Sequence, residues 1–304
     1  MYDYRRGRIV IFFIKMNKSR IIASVCAASV VMVLFACNKN ITPVSSNGGG
    51  GNNNNTGGST TFAFAVGDDF QYQQYTIDST GAETPTTTMH EYIASTLSIY
   101  GKSNVFLAID STFTAGALSS VDTVYYYTDG ISVSQYGLVS SYENSTLGAF
   151  VSLLGTGSAV TLDPQWNMLI DAGSRYPWIV DTSHSSISLS SYGVTIPITT
   201  DINGTDVGDT TMIIPISKSK AISGSSLNTD QSFGTGSLSF DANILIITVS
   251  GSATIDSRYY MSFSPTCIVK AVTSPTTLSI SESGSTTPYQ IPGAERDLIS
   301  WSKN

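Results

Sequence analysis

From residue 62 onward, apolar residues come in short runs of strand length, and turn-forming residues separate these runs. The segment 70–78 alternates apolar and polar positions, with a phase slip between Tyr72 and Tyr75 that predicts a β-bulge. The segment 104–110 is apolar on both parities, which is typical of a strand covered on both faces. Regularly spaced strands without intervening helices predict an antiparallel sheet.

Two segments are predicted as β-hairpins from the turn residues between their arms. In 122–137, Asp129-Gly130 suits a type I′ turn between two strand-forming arms. In 237–255, a further pair of strands is expected to turn around 241–243.

A third hairpin is predicted in the segment 194–217, with its turn at Asn203-Gly204. Pro197 and Pro215 fall within its arms. Because proline cannot donate a ladder hydrogen bond, both prolines predict edge positions or bulges.

About a dozen strands over the last 240 residues predict an all-β, mainly antiparallel fold. The pattern favours one large curved sheet or half-barrel with one or two short helices. The first helix is expected within 144–154, where apolar residues fall at helical spacing. The second is expected at 164–171, with Asp163 as the cap and Pro164 in the first turn.

The pattern is different near the N-terminus, where residues 21–36 form a sixteen-residue apolar block behind Lys18 and Arg20. This is the layout of a secretory signal, and the block is short for a membrane-spanning helix. Residues 1–36 are therefore predicted to be a signal peptide. Met16 is an alternative start, because it would begin a compact basic region.

The sequence Leu34-Phe35-Ala36-Cys37 at the end of this block resembles the lipobox of bacterial lipoproteins. The resemblance implies that Cys37 is acylated and becomes the first mature residue, held by two or more acyl chains. The alternative is an ordinary cysteine at the end of a signal. By the same resemblance, Asn38 in place of aspartate favours the outer membrane. The absence of acidic residues in 38–40 favours a periplasm-facing orientation over the cell surface.

Three regions follow from this layout. After the signal, residues 37–61 comprise the lipidated cysteine and a linker rich in glycine and asparagine. Such a composition buries too little apolar surface to fold, so this segment is predicted to be a flexible tether. Residues 62–304 are predicted to be a single β-rich domain.

Four stretches of this domain occur in a suggestive order: "DTVYYYTDGISVSQYG", "PQWNMLIDAGSRYPWIVDT", "VGDTTMIIPIS" and "YYMSFSPTCIVKAV" with the later "GAERDLISW". Together they resemble a group of Bacteroidetes lipoproteins of unknown function. That group is similar to the periplasmic lipoprotein carriers and their receptors. The resemblance implies an antiparallel half-barrel, closed by helices, around an apolar cavity, and it implies no catalytic motif.

Charge excludes one class of function. Six of the fifteen basic residues precede Cys37, so nine basic residues face twenty-one acidic residues beyond it. The net charge of that part is therefore about −12. Proteins that bind nucleic acid need clustered lysine and arginine, so nucleic-acid binding is not expected.

Candidate chemistry is sparse, and no cofactor is expected. The two histidines have no neighbours at metal-ligand spacing, Cys267 is expected to be buried, and no nucleophile elbow is present. One acidic segment offers oxygen ligands for calcium, in a spacing that departs from the EF-hand order. Its residues are Asp201, Asn203, Asp206 and Asp209, and a turn-forming loop is the alternative.

Tyrosine is abundant, with sixteen residues in the chain. An apolar ring with a polar tip suits either a cavity mouth or a half-exposed sheet. The tyrosines that fall in predicted strands are Tyr72, Tyr75, Tyr100, Tyr125, Tyr126, Tyr127, Tyr259 and Tyr260.

These features favour a non-enzymatic cell-envelope lipoprotein that binds an apolar ligand or a partner protein in the periplasm. The alternative is a structural or surface-adhesion module. A third hypothesis is a hydrolase of envelope glycans, which requires two carboxylates to converge in a cleft.

Overall fold

The computed structural model describes residues 61–137, 158–161, 165–174, 176–181, 184–189, 194–216, 224–244, 247–282 and 284–303. These residues form an all-β fold without an α-helix. The strands are β1 (Asp68–Ile77), β2 (Glu83–Ile99), β3 (Lys102–Thr114), β4 (Ala117–Thr128), β5 (Ser132–Gly137), β6 (Ser158–Thr161), β7 (Gln165–Asp171), β8 (Trp178–Asp181), β9 (His184–Leu189), β10 (Val194–Ile214), β11 (Ser225–Ile244), β12 (Ile247–Phe263), β13 (Thr266–Thr273), β14 (Thr276–Glu282), β15 (Ser285–Ile291) and β16 (Gly293–Lys303).

All sixteen strands belong to one antiparallel sheet. Its order is β6-β9-β10-β11-β12-β13-β16-β1-β2-β3-β4-β5-β7, with β8 paired to β10 and β14 paired to β12 and β15. The last strand therefore lies between β13 and β1. This position joins two antiparallel meanders into one continuous surface.

The sheet is nearly closed and barrel-like, because β7 at one end of the strand order approaches β8 and β11. The Ser232 hydroxyl of β11 donates a hydrogen bond of 2.6 Å to the Leu169 carbonyl of β7. The Trp178 indole of β8 donates to the Met168 carbonyl of β7 at 3.1 Å. These bonds satisfy part of the backbone of β7, which would otherwise be an open edge.

Two apolar clusters support the sheet. The larger cluster lies inside the barrel-like part and includes Phe62, Phe64, Tyr72, Tyr126 and Met261. The Phe62 ring stacks on the Phe263 ring at 4.7 Å, and the Phe64 ring stacks on the Tyr126 ring at 5.0 Å. The smaller cluster is built by β10, β11, β12, β14 and β15, with contributions from β8.

The prediction of a helix at 164–171 is wrong, because β7 (Gln165–Asp171) is a strand paired with β5. Its side chains alternate between half-buried and buried positions from Trp166 to Leu169, and Ile170 is also buried. Pairing and burial therefore override the local capping signal. The helix expected within 144–154 lies outside the described residues.

The hairpin of 122–137 is confirmed as β4 and β5, but its turn differs from the prediction. Thr128 pairs with Val133, so the loop is longer than two residues. Gly130 has a positive φ of 97°, whereas a type I′ turn also needs a positive φ at Asp129. Instead, the Asp129 carboxylate accepts hydrogen bonds from the backbone N–H groups of Ile131 and Ser132.

The pair of strands expected in 237–255 is also confirmed, as β11 and β12. Its turn follows Ile244, which pairs with Ile247, and is therefore later than the predicted position around 241–243. The bulge predicted in 70–78 is present as well. The pairing of β1 with β2 shifts register between Gln73 and Tyr75.

The prediction of a hairpin turn at Asn203-Gly204 is wrong, because both residues lie inside the twenty-one-residue strand β10. Gly204 serves a close approach instead of a turn: a Cβ there would lie 2.3 Å from the Trp178 ring. Pro197 pairs with Ser186 of β9 and precedes the first residue of β10 that pairs with β11, so it is an edge position on the β11 side alone.

The predicted signal peptide, Cys37 and the linker up to residue 60 lie outside the described residues. Among the residues that are described, no helix has the length and apolar character needed to cross a bilayer.

Candidate functional site

A cleft of about 590 Å³ opens into the barrel-like part of the fold. Its walls come from β1–β5 on one side and from β12, β13 and β16 on the other. Charged residues in the lining are Asp110, Asp122, Glu295 and Arg296, and apolar residues are Met89, Val124, Ile268, Ala271 and Ala294. Threonines, glutamines and tyrosines contribute most of the remainder. The cleft is therefore amphipathic and has the volume of a small-molecule site, for which roughly 300–1,000 Å³ is usual.

Three carboxyl residues stand in one row across β2, β3 and β4, and two of them, Asp110 and Asp122, line this cleft. Glu91 of β2 pairs with Asp110 of β3, and Asp110 pairs with Asp122 of β4. Directly opposite residues share a face and have Cβ atoms about 4.5–5.5 Å apart, where like charges destabilise the sheet. Such a row needs compensating groups.

Glu91 receives its compensation from two buried tyrosines. Its side chain is 1% exposed. The Tyr126 hydroxyl donates to Glu91 Oε2 at 2.7 Å, and the Tyr72 hydroxyl approaches Oε1 at 3.4 Å. Burial, followed by the nearby Glu91 carboxylate, raises the pKa of both tyrosines well above its usual value. Both phenols therefore remain donors to this carboxylate.

Asp110 is 8% exposed, and its Oδ1 atom is buried without a hydrogen-bond partner among the described residues. Burial raises the pKa of Asp110 well above its usual range, and the Glu91 charge raises it further. Asp110 therefore retains its proton at pH values where an exposed aspartate has lost its own.

Arg296 of β16 lines the cleft next to this pair. Its guanidinium carbon lies 4.8 Å from the centre of the Tyr72 ring, over the face of the ring. Burial lowers its pKa, but Tyr126, Glu91, Tyr72 and Asp110 together outweigh burial and raise it. Within the described part of the chain, its guanidinium has no ion pair within 4.0 Å and no hydrogen bond.

The neighbouring carboxylates on β16 are held differently. The Lys270 ammonium lies 2.7 Å from Glu295 Oε1 and 3.0 Å from Asp297 Oδ1. Asp297 is fully buried and Glu295 is nearly so. Lys270 therefore neutralises much of the negative charge beside the cleft, and Arg296 is left to face the Glu91–Asp110 pair.

The tyrosines divide between inside and outside. Tyr72, Tyr126 and Tyr259 are buried, and Tyr259 also lines the cleft. A second, more exposed cluster consists of Tyr100, Tyr125, Tyr127 and Tyr136 with Trp166, in which the Tyr100 and Tyr136 rings stack at 3.7 Å. Tyr136 of this cluster also lines the cleft. Both expected settings, a cavity and a half-exposed sheet, are therefore occupied.

The calcium candidates do not lie in a loop, which was the premise of that prediction. Asp201, Asn203, Asp206 and Asp209 are spread along β10. At about 3.3 Å per residue, Asp201 and Asp209 stand roughly 26 Å apart, too far to share one cation. No group of three or more metal-ligating His, Cys, Asp or Glu side chains exists in the described ranges.

Asp206 has a different role, because it ties β10 to the segment after β7. Its Oδ2 accepts the Gly173 N–H at 2.9 Å, and its Oδ1 accepts the Gly208 N–H at 2.7 Å. Asp230 of β11 is its buried neighbour, with Oδ2 unpartnered among the described residues. Burial, followed by the charge of Asp206, raises the pKa of Asp230 to about 7.

Sequence reasoning did not find Glu91, Asp110 or Arg296 as members of one site. The available signal was weak: Glu91 and Asp110 adjoin the strand-forming residues Tyr92 and Ile109, and Arg296 lies between the acidic residues Glu295 and Asp297. Cys267, in contrast, is fully buried as expected, and burial raises the pKa of its thiol.

Comparison with known proteins gives one structural likeness. No protein-family model and no curated protein matches the chain. Among solved structures, the chain is similar to a protein from Parabacteroides distasonis ATCC 8503 that is described as a "putative lipoprotein". The TM-score is 0.43 at 10% sequence identity, over 81% of this chain and 99% of that chain. A likeness at this level carries no argument about function.

Proposed function

We propose that this protein is a lipid-anchored protein of the cell envelope whose β-domain binds a small amphipathic ligand without chemical conversion. The observation that carries the proposal is the cleft of about 590 Å³, with charged and apolar residues on its walls. A concave site of this size with a few convergent polar groups is the usual form of a ligand pocket.

The lining favours an amphipathic ligand over the purely apolar one expected from the sequence. Arg296, Asp110 and Asp122 face the same cleft as Met89 and Val124. A long acyl chain would remove water from these charged groups and offer no hydrogen bond in return, which is costly.

The envelope address is supported by the sequence alone. The signal-like residues 1–36 end at Cys37, and Asn38 follows the cysteine. These features favour acylation of Cys37, attachment to the outer membrane and a periplasm-facing orientation. A partner protein in the envelope remains the alternative occupant of the β-domain.

Hydrolysis of a glycan is a second candidate, and the carboxyl row is the observation that favours it. Asp110 and Asp122 line one cleft from directly opposite strand positions. Carboxyl groups about 5–5.5 Å apart are typical of retaining glycosidases. Incubation with peptidoglycan and with capsular glycans tests this candidate: turnover that is abolished by Asp110→Asn would establish the hydrolase and overturn the non-enzymatic proposal.

Native mass spectrometry of the full chain, released from its membrane, tests the binding proposal. We expect a co-purifying mass that dissociates on gas-phase activation. Ala294 lines the cleft, and Ala294→Phe should fill it and remove that mass. Ala117→Phe, at an exposed position of β4, is the matched control. A wild-type spectrum without any bound mass would contradict the proposal.

A further inference from the structure

We propose that the ligand is a neutral polyhydroxylated molecule, such as a sugar, held between the Arg296 guanidinium and the Asp110 carboxyl group. The inference rests on the proposed binding function and names the ligand class of the same cleft. It follows from the hydrogen-bonding groups that the cleft leaves unused, the charges around them and the apolar surface beside them.

Arg296 supplies the unused donors. A guanidinium carries five N–H groups in a rigid planar fork. In the described part of the chain its contact is with the Tyr72 ring, and it has neither an ion pair within 4.0 Å nor a hydrogen bond there. Because Arg296 lines the cleft, these donors are available to a ligand that offers acceptor oxygens.

Asp110 supplies an unused hydrogen-bond acceptor. Its carboxyl group lines the same cleft, is more than nine-tenths buried and has an unpartnered Oδ1. The adjacent Asp122 adds acceptor oxygens at a more exposed position. A ligand that reaches both sides must therefore accept hydrogen bonds from Arg296. It must also donate hydrogen bonds to the carboxyl oxygens of Asp110 and Asp122.

The charges argue against an ionic ligand of either sign. An anion bound at Arg296 would stand beside Glu91, Asp110 and Asp122. A cation bound at Asp110 would stand beside Arg296, which the same cluster holds firmly protonated. Each hydroxyl group is one donor and two acceptors, so a polyol satisfies both groups without adding a charge.

The apolar residues complete the match. Arg296 pairs with Ala271, and Ala271 pairs with Tyr259, so these three side chains lie on one face. Met89, Val124 and Ala294 line the same cleft. A sugar ring presents C–H groups between its hydroxyls, and these C–H groups can pack against the two alanines and the Tyr259 ring.

Isothermal titration calorimetry tests this inference on the full chain in phospholipid nanodiscs, with empty nanodiscs as the blank. The probes are glucose, galactose, mannose, N-acetylglucosamine and myo-inositol, with decanoate as the apolar comparison. Wild-type protein should bind at least one of the five polyols saturably. Because hydrogen bonds to charged groups contribute about 1.5–3 kcal/mol, Arg296→Met should weaken that binding about tenfold or more.

Matched variants separate the possible results. Arg258 is an exposed arginine of β12 outside the cleft lining, so Arg258→Met should leave the affinity within about twofold. If Arg296→Met fails to fold, Arg296→Lys replaces it. Arg296→Lys keeps the charge and loses the planar fork, and it should also weaken the polyol.

Three results would overturn the sugar assignment. Binding of decanoate alone, abolished by Ala294→Phe, would leave the proposed binding function intact and replace the polyol with an apolar ligand. Polyol binding that survives both Arg296→Lys and Ala294→Phe would place the sugar elsewhere on the molecule. Absence of binding by all six probes would overturn the assignment, and the native mass spectrum would then decide separately whether the cleft binds any ligand.

Discussion

At the scale of single residues, the molecule is notable for carboxyl groups placed where burial opposes their charge. Glu91 and Asp110 face each other across two strands, and Asp206 and Asp230 form a second close pair. Glu91 and Asp206 each accept a hydrogen bond from a residue distant in sequence. Tyr126 lies thirty-five positions from Glu91, so no local sequence pattern indicates the contact.

The bond between Tyr126 and Glu91 leads to the first prediction. Tyr126→Phe removes the 2.7 Å donor and leaves the buried Glu91 carboxylate with an unsatisfied oxygen. The free energy of unfolding should fall by about 1–3 kcal/mol, measured by urea denaturation. Tyr125→Phe, at a half-exposed ring on the next position, should change it by less than about 0.5 kcal/mol. Equal effects of both substitutions would argue against the buried contact.

The raised pKa of Asp230 leads to the second prediction, on stability against pH. The unfolded chain releases this proton near pH 4, whereas the folded protein retains it until about pH 7. Below pH 4, Asp230 therefore does not change the free energy of unfolding. Between pH 4 and 7 its ionisation lowers this free energy progressively, and above pH 7 the loss stays constant. Asp110 acts in the same direction through its own raised pKa. The carboxylates that act on Asp230 are those of Asp206 and Asp209, and Asp171 is in turn a neighbour of Asp206.

Asp230→Asn should remove the Asp230 contribution, because the amide can donate a hydrogen bond to Asp206. The melting temperature of the variant, relative to wild type, should therefore rise as the pH increases from 4 to 7 and stay constant above pH 7. A difference between variant and wild type that does not change across this range would contradict the assignment. Asp201→Asn, at an exposed position of β10, is the control.

At the scale of elements, the strand pattern was predictable, and the positions of turns were less so. The hairpins β4–β5 and β11–β12 follow from alternation and turn residues, which act over a few positions. The turn predicted at Asn203-Gly204 and the helix predicted at 164–171 were wrong for related reasons. Long-range strand pairing sets the conformation of 165–171, and the Trp178 ring packs against Gly204. A local stretch of sequence contains neither contact.

Gly204 leads to the third prediction. Gly204→Ala should lower the free energy of unfolding by about 1–3 kcal/mol, because the new methyl group would overlap the Trp178 ring. A double-mutant cycle measured by urea denaturation checks the cause. In a Trp178→Ala background the same substitution should cost much less. An unchanged cost in that background would mean that Gly204 is required by something other than the indole.

At the scale of the whole molecule, a nearly closed antiparallel sheet surrounds a core, and an amphipathic cleft opens in the part of the sheet that the structure describes. Composition and strand count were sufficient to predict the all-β curved sheet. They could not predict the cleft lining, because its charged members come from β3, β4 and β16 and meet only in the closed sheet. The apolar interior expected from the sequence was therefore too simple.

The proposed anchor leads to the fourth prediction. Cys37→Ala removes the thiol that would receive the lipid, so the protein should move from the membrane fraction to the soluble fraction. Cys26→Ala alters the other cysteine that precedes the linker and should leave the distribution unchanged. Continued membrane association of Cys37→Ala would contradict lipidation at this position.

An experimental structure of the protein, purified without added ligand from the cells that naturally produce it, tests ligand binding in the cleft most directly. We expect density for a small molecule in the cleft, in contact with Arg296 and Asp110. A cleft filled by the protein's own side chains would contradict the proposed binding function, as would a cleft that holds ordered water alone.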